Sequence, residues 1–418
     1  MNILSIIRQK LKLFYIFKLG SSFGTQLVSL FLIYLFSPDE YGQLALVITV
    51  AQLLYILTTG WTDPTIVNIG TKEYIEKGSY KNIVLYRLII VFICFILVSL
   101  SYVIFKERIT DLIKDESYIG ETFILFLGFS IQSFFNQLLY PCSKNNLQSM
   151  FDIVYTILFV LIVCFFCRSI KSYVYIFFVL NLAYAVLVSI FYWNFFTKDK
   201  LNISWSGFNK TLYFSIWQIL GVLGIYLTNL GVNYVYAIEN ISVSDIGLYN
   251  VAYKLFSEFT PIFAICVIII PQWIYGSRNK DKLIRNIRRN TAMGVGALSF
   301  VYLLIYFLLT PFLNLIGKYD YLQSVDFYLW LFPAFVFMCY SQIIQLIIMT
   351  TSAFKYIQYA TLVQGVILVF FCFAFVHFFG IIGAIISVTI AYLGKSVYLY
   401  SIYHKKAIYL IKNISEYE

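Results

Sequence analysis

The chain is poor in nearly everything a soluble enzyme needs. Only 12% of its 418 residues are charged, and it has two histidines and seven prolines. No segment between its apolar runs exceeds about fifteen residues, which leaves no room for a folded catalytic domain outside them. No Gly-x-x-x-x-Gly-Lys-Ser/Thr loop occurs, so no built-in ATPase is expected. His377 and His404 fall in different segments, and neither Ser/His/Asp nor metal-ligand spacing surrounds them. The seven cysteines lie within apolar segments or at their ends, and the Cys164–Cys167 pair sits among aromatics, where small core residues are the better reading than redox chemistry. No cofactor, no metal and no enzymatic activity are expected.

What the chain has in abundance is apolar length. Hydrophobic residues make up 61% of it. Twelve stretches are long enough to cross a bilayer, a task that needs roughly 20 apolar residues. They run over 13–36, 42–69, 83–105, 119–142, 150–167, 173–196, 212–238, 246–275, 291–316, 326–351, 357–379 and 381–403. In hydrocarbon each segment must satisfy its own backbone polar groups, so helices are expected and the fold class is all-α, a polytopic membrane protein.

Charge then gives orientation. The N-terminus, the C-terminus and the loops on their side carry 20 of the 30 Lys and Arg, against 6 on the other side. Cytoplasmic loops hold the Lys/Arg excess, so both termini are expected to face the cytoplasm. The stretch 276–290, expected as a loop, is the strongest anchor, with Arg278, Lys280, Lys282, Arg285, Arg288 and Arg289. The net charge of +10 is accounted for by topology and by attraction to anionic membrane lipids, so no nucleic-acid partner is expected. Arg8, Lys10 and Lys12 among Ile and Leu read as a short amphipathic lead-in on the inner surface. The apolar run behind them is too long for a signal peptide and lacks a cleavage site.

The sequence also repeats itself. Ser37-Pro38-Asp39-Glu40-Tyr41-Gly42 and Ser242-Val243-Ser244-Asp245-Ile246-Gly247 share the pattern Ser-x-x-acid-hydrophobic-Gly, and each opens a segment. The interval between them holds six segments, an even number, which implies a parallel repeat. Two six-helix lobes are therefore expected, 1–199 and 200–418, joined through Thr197–Lys210. Gly20, Gly24, Gly221, Gly224, Gly380 and Gly383 stand at spacings that favour close helix packing.

Charges inside the membrane are costly, about 2.5 kcal/mol or more each, so each is a functional candidate. Lys254 and Glu258 are spaced i, i+4 on the eighth segment and can pair. Lys395 lies well inside the twelfth, and Lys18 and Arg87 lie near the starts of the first and third. Asn229 and Asn233 add uncharged polar groups to the seventh. These seven residues are the expected substrate-binding set. Lysine suits an anionic headgroup such as a phosphate or pyrophosphate, as a mobile point charge.

The chain resembles the polysaccharide-biosynthesis flippases of the multidrug/oligosaccharidyl-lipid/polysaccharide exporter superfamily. Four stretches carry the resemblance: Phe17-Lys18-Leu19-Gly20-Ser21; the Ser-Pro-Asp-Glu-Tyr-Gly loop at 37–42; Asp245-Ile246-Gly247-Leu248-Tyr249-Asn250-Val251-Ala252-Tyr253-Lys254-Leu255; and Phe379-Gly380-Ile381-Ile382-Gly383-Ala384. The resemblance implies a two-lobe, twelve-helix fold like that of the multidrug exporters. It also implies movement of an undecaprenyl-diphosphate-linked oligosaccharide from the inner to the outer leaflet of the cytoplasmic membrane, for O-antigen, capsule or exopolysaccharide synthesis. H+ or Na+ as a coupling ion, and a polysaccharide polymerase and chain-length regulator as partners, belong to the same expectation. Relatives often carry Arg or Asp-Arg in the seventh helix, where this chain has Asn229-Leu230-Gly231-Val232-Asn233. Two alternatives stay open: a cation-coupled multidrug exporter of the same fold, and a membrane-embedded polysaccharide polymerase.

Overall fold

In the computed structural model, residues 13–142, 145–196, 203–260, 262–263, 266, 270, 274, 280–350 and 355–413 are described. The amphipathic lead-in expected over the first twelve residues lies outside them. The long helices are α1 (Leu13–Leu35), α2 (Pro38–Thr58), α3 (Lys81–Ile104), α4 (Ile119–Asn136), α5 (Asn145–Phe166), α6 (Ile170–Phe196), α7 (Trp205–Ile238), α8 (Val243–Ser257), α9 (Lys280–Leu315), α10 (Leu322–Trp330), α11 (Phe332–Met349) and α12 (Lys355–Ile402). Among the described residues there is no strand, and nine helices are long and apolar enough to cross a membrane. Their outward faces are apolar too. On α3, Leu88, Phe92, Ile96 and Leu100 are exposed, as are Phe300, Leu304, Phe307 and Leu308 on α9. Such surfaces belong against lipid tails. The chain is an all-α, multi-pass membrane protein.

The sequence segments map onto these helices with informative departures. The tenth is split into α10 and α11. The eleventh and twelfth are the two halves of α12, which breaks at Gly380 (φ 55°, ψ −131°). Only glycine adopts such angles at little cost. Three residues on, a Cβ at Gly383 would strike the carbonyl of Phe375, so both glycines of the Gly-Ile-Ile-Gly-Ala run are needed for the turn.

Two stretches expected as loops are helical instead. The basic stretch 276–290 is helical from Lys280 onward, forming the first turns of α9. Its Ile284 and Ile287 recur at helical spacing among the charges, so the helix continues where its composition turns polar. The expected linker Thr197–Lys210 likewise turns helical at Trp205. The second segment passes through a 3₁₀ turn (Gly60–Thr62) and a π turn (Ile66–Gly70), then stays helical to Lys77. It ends on Gly78 in the left-handed region, whose N–H donates to the Tyr74 carbonyl at 2.8 Å.

The chain divides into two compact units, Met1–Leu35 with Leu46–Val222, and Phe36–Ala45 with Leu223–Glu418. In the first unit, α1 packs on α5 and α4 on α6. Gly20 and Gly24 lie against Ile153 and Thr156, and Ser21 shares a hydrogen bond with Thr156 at 2.8 Å. Tyr80, Tyr86, Leu139, Phe151, Tyr184 and Val188 form a buried cluster beside them. In the second unit, α7 lies on the first half of α12, where Gly224 meets the backbone at Leu362. The second half of α12 packs on α11, with Ser396 donating to the Phe337 carbonyl at 3.0 Å. Its core is aromatic: Phe256, Phe259, Tyr302, Tyr328, Phe335 and Tyr392.

The repeated hexapeptide has a twofold explanation. Its Ser-x-x-acid part is a helix start: the Ser37 N–H donates to Glu40 at 2.9 Å and Ser37 Oγ accepts from the Glu40 N–H, while Ser242 Oγ accepts from the Asp245 N–H at 3.1 Å. Its glycine is a crossing point. A Cβ on Gly42 would collide with the Val243 carbonyl, and one on Gly247 would collide with the Pro38 carbonyl. Each copy thus lays the first turn of its helix, within the second unit, directly on the glycine of the other.

Candidate functional site

Seven residues were singled out in the sequence, and the structure places them in different settings. In the first unit, Arg87 on α3 is fully buried, and its Nη2 forms an ion pair with Asp63. Its Nε donates to Thr62 at 3.0 Å and its Nη1 to the Phe134 carbonyl at 3.3 Å, while the guanidinium lies 4.8 Å from the centre of the Phe134 ring. Asp63 also accepts from Tyr55 OH at 2.8 Å and from Ser133 Oγ. Every polar part of the pair is engaged. A second buried carboxylate in this unit, Asp152, accepts from Tyr184 OH at 2.8 Å and Gln148 Nε2 at 3.2 Å. The side chain of Lys18 lies outside the described residues.

In the second unit, Asn250, Lys254 and Glu258 follow one another at i, i+4 along α8 and its end, so they share a face. Tyr249, Tyr253 and Phe256 occupy another face, stacked in sequence, with Tyr249 and Phe256 buried in the aromatic core and Tyr253 half-buried beside them. Tyr253 OH anchors that face to the Thr228 carbonyl of α7 at 3.0 Å. On the polar face, Asn233 and Asn250 exchange amide hydrogen bonds at 3.1 and 2.8 Å. This pair fixes the register of antiparallel α7 and α8, so Asn229, one turn from Asn233 on α7, stands level with Lys254. Asn229 is exposed.

The ion pair on this face is loose. Lys254 Nζ and Glu258 Oε1 are 3.7 Å apart, with side chains 32% and 17% exposed, and Glu258 Oε1 makes no hydrogen bond among the described residues. Lys395 is buried one turn beyond Tyr392, whose ring lies 5.6 Å from that of Phe256. No carboxylate among the described residues lies within ion-pair distance of it.

The structure therefore brings together Asn229, Asn233, Lys254 and Glu258, joined by Asn250. Arg87 sits in the other unit with a complete set of partners. Asn250 was absent from the expected set, although its position four residues before Lys254 was the signal that could have found it. Asp63 as the partner of Arg87 had no such signal, because the two meet across different helices. Chemically, the α7–α8 stripe offers amide donors and acceptors, a cation able to reach a ligand oxygen, and a carboxylate able to take a proton or a cation. Among the described residues no cluster of three or more His, Cys, Asp or Glu could hold a metal.

Comparison with known proteins gives three findings. Residues 19–272 match the family described as "Polysaccharide biosynthesis protein". A search of curated protein sequences returns no relative. Among solved structures, an inward-facing multidrug resistance MATE family transporter of the MOP superfamily superposes with a TM-score of 0.66 at 14% identity, over 96% of this chain and 95% of its own. An outward-facing MATE family transporter gives 0.58 at 14% identity over the same shares. A point mutant of the Vibrio cholerae MATE transporter VcmN gives 0.59 at 16% identity, over 97% of this chain and 99% of its own. The fold is that of the MATE transporters.

Proposed function

We propose a function from one premise: this chain belongs to the polysaccharide biosynthesis protein family. It is a flippase that carries an undecaprenyl-diphosphate-linked oligosaccharide from the inner to the outer leaflet of the cytoplasmic membrane by alternating access. Both termini face the cytoplasm, as the Lys/Arg excess on their side supports. No covalent chemistry is involved. A H+ or Na+ gradient drives the cycle, and a polymerase and chain-length regulator receive the product.

The observation that carries this reading is the polar stripe on α7 and α8. In a unit built on an aromatic core, Lys254 keeps a third of its side chain open and holds Glu258 at only 3.7 Å. A cation held this loosely can turn to a diphosphate oxygen without breaking a tight bond. Asn229 and the open edge of the stripe offer hydrogen bonds to sugar hydroxyls. The remaining candidates, Lys395, Lys18 and Arg87, fit into this scheme at different depths. Lys395 supplies a buried positive field, Lys18 stands near the start of α1, and Arg87 holds the first unit's helices in place.

The test is the leaflet in which lipid-linked glycan accumulates in cells lacking the protein. Single repeat units confined to the inner leaflet, with transport restored by the wild-type chain and not by Lys254→Ala, are expected. Outer-leaflet accumulation of unpolymerised units would point to a polymerase instead. A second reading, a cation-coupled drug exporter, is favoured by one feature, the Glu258 oxygen left without a hydrogen bond. It predicts unchanged glycan lipids and raised drug sensitivity in the same cells.

A further inference from the structure

A groove of about 770 Å3 opens in the second unit between α9, α11 and the second half of α12. Its walls are almost entirely apolar along most of its length, with Val295, Val336, Phe337 and Leu393 among them. One end is different. There Arg288, Tyr403 and His404 line it together. Tyr403 is 2% exposed, yet its hydroxyl has no hydrogen-bond partner among the described residues, and neither has the buried Nε2 of His404. Buried polar atoms are nearly always paired, so two unpaired ones on residues that line one groove beside a cation mark a place for a ligand. Arg288 has no carboxylate partner among the described residues. A π-helical turn, Tyr403–Ala407, begins at this point and interrupts the regular helix.

An apolar trough capped by a guanidinium and two unpaired groups matches an amphiphile with an anionic head. The basic run from Arg278 to Arg289 puts the cap at the cytoplasmic surface, the leaflet rich in anionic lipid. We propose that this groove is a binding site for one anionic phospholipid: an acyl chain occupies the trough, and its phosphate accepts hydrogen bonds from Arg288, Tyr403 and His404. The site is separate from the α7–α8 stripe and stands whether or not the chain is a flippase.

Gly296 provides a clean way to test the trough. It lines the groove, and a Cβ built on it meets no atom within 4 Å. Gly296→Phe therefore starts a bulky side chain into the trough from a Cβ that meets no neighbour. The full-length protein, purified in mild detergent, would be mixed with phosphatidylglycerol or phosphatidylcholine of the same acyl composition, and retained lipid counted by native mass spectrometry. The wild-type chain is expected to retain phosphatidylglycerol about tenfold over phosphatidylcholine, a ratio within reach of one charge-assisted phosphate contact. Arg288→Gln should abolish that preference, and Gly296→Phe should abolish retention of both lipids. Tyr403→Phe deletes only the unpaired hydroxyl, and it should narrow the preference even if Arg288→Gln does not fold. Undiminished preference in Arg288→Gln or in Tyr403→Phe, or undiminished retention in Gly296→Phe, would overturn the site. So would displacement of the lipid by inorganic phosphate alone, or by undecaprenyl phosphate at equal concentration.

Discussion

The two units each hold a cation beside a carboxylate, and they hold them in opposite ways. Arg87 and Asp63 are sealed in, with Tyr55, Thr62, Ser133 and the Phe134 carbonyl saturating whatever the pair leaves open. Among the described residues Lys254 and Glu258 are partners only to each other, on the open side of one helix, with an oxygen to spare. The first arrangement leaves nothing for a ligand. The second is poised for exchange. A charge inside a membrane protein is therefore a poor guide to function until its partners are counted. The sequence lists Arg87 and Lys254 on equal terms, and the structure separates them.

Breaking the sealed pair should have the largest effect on stability. Arg87→Leu leaves a buried carboxylate without its cation, and a loss of about 3–5 kcal/mol is expected, enough to prevent purification of folded protein. Adding Asp63→Leu should return most of it, because apolar residues can replace a buried pair at little cost. Size-exclusion and thermal melting in detergent would check both, and a double variant as unstable as the single would refute the pairing.

Lys395 sharpens the contrast from another side, since it is buried with no acid within ion-pair distance among the described residues. Lys395→Met should raise stability by on the order of 2 kcal/mol, the scale of a lone lysine within a membrane helix. A lowered melting temperature would show that a partner compensates its charge. Asn250→Ala, which breaks the amide exchange with Asn233, should cost about 0.6–1.7 kcal/mol. The same melts would register it, and no measurable loss would mean that the exchange does not hold α7 to α8.

Lys254→Ala should cost least, about 1 kcal/mol or below, as loose, partly exposed ion pairs do. In leaflet-resolved transport the order reverses, and this variant should be inactive while Asn250→Ala keeps measurable flux. Full transport by Lys254→Ala would remove the open pair from the site.

Much of the fold was legible because hydropathy and length act locally. The break at Gly380 fell between two apolar runs, and the pairing of Lys254 with Glu258 followed from helical spacing alone. What escaped was non-local or composition-blind. Asp63 meets Arg87 through the irregular turn that follows α2, and no spacing rule reaches across that distance. The first turns of α9 looked like a loop because they are charged, although helix geometry does not end where hydrocarbon does. The hexapeptide repeat holds more than its spacing tells: its Ser-x-x-acid part is the common grammar of a helix start, and its glycine makes a tertiary contact that no local pattern announces.

That glycine crossing has a consequence for biogenesis. The first two turns of α2 rest on a partner encoded some 200 residues downstream. At synthesis rates of about 5–20 residues per second, they wait on the order of 10–40 s for it. During that interval the capped start of α2 has no backbone to lie on. The nascent chain thus leaves the ribosome with one end of a helix unfinished, and completes it only as the second half arrives.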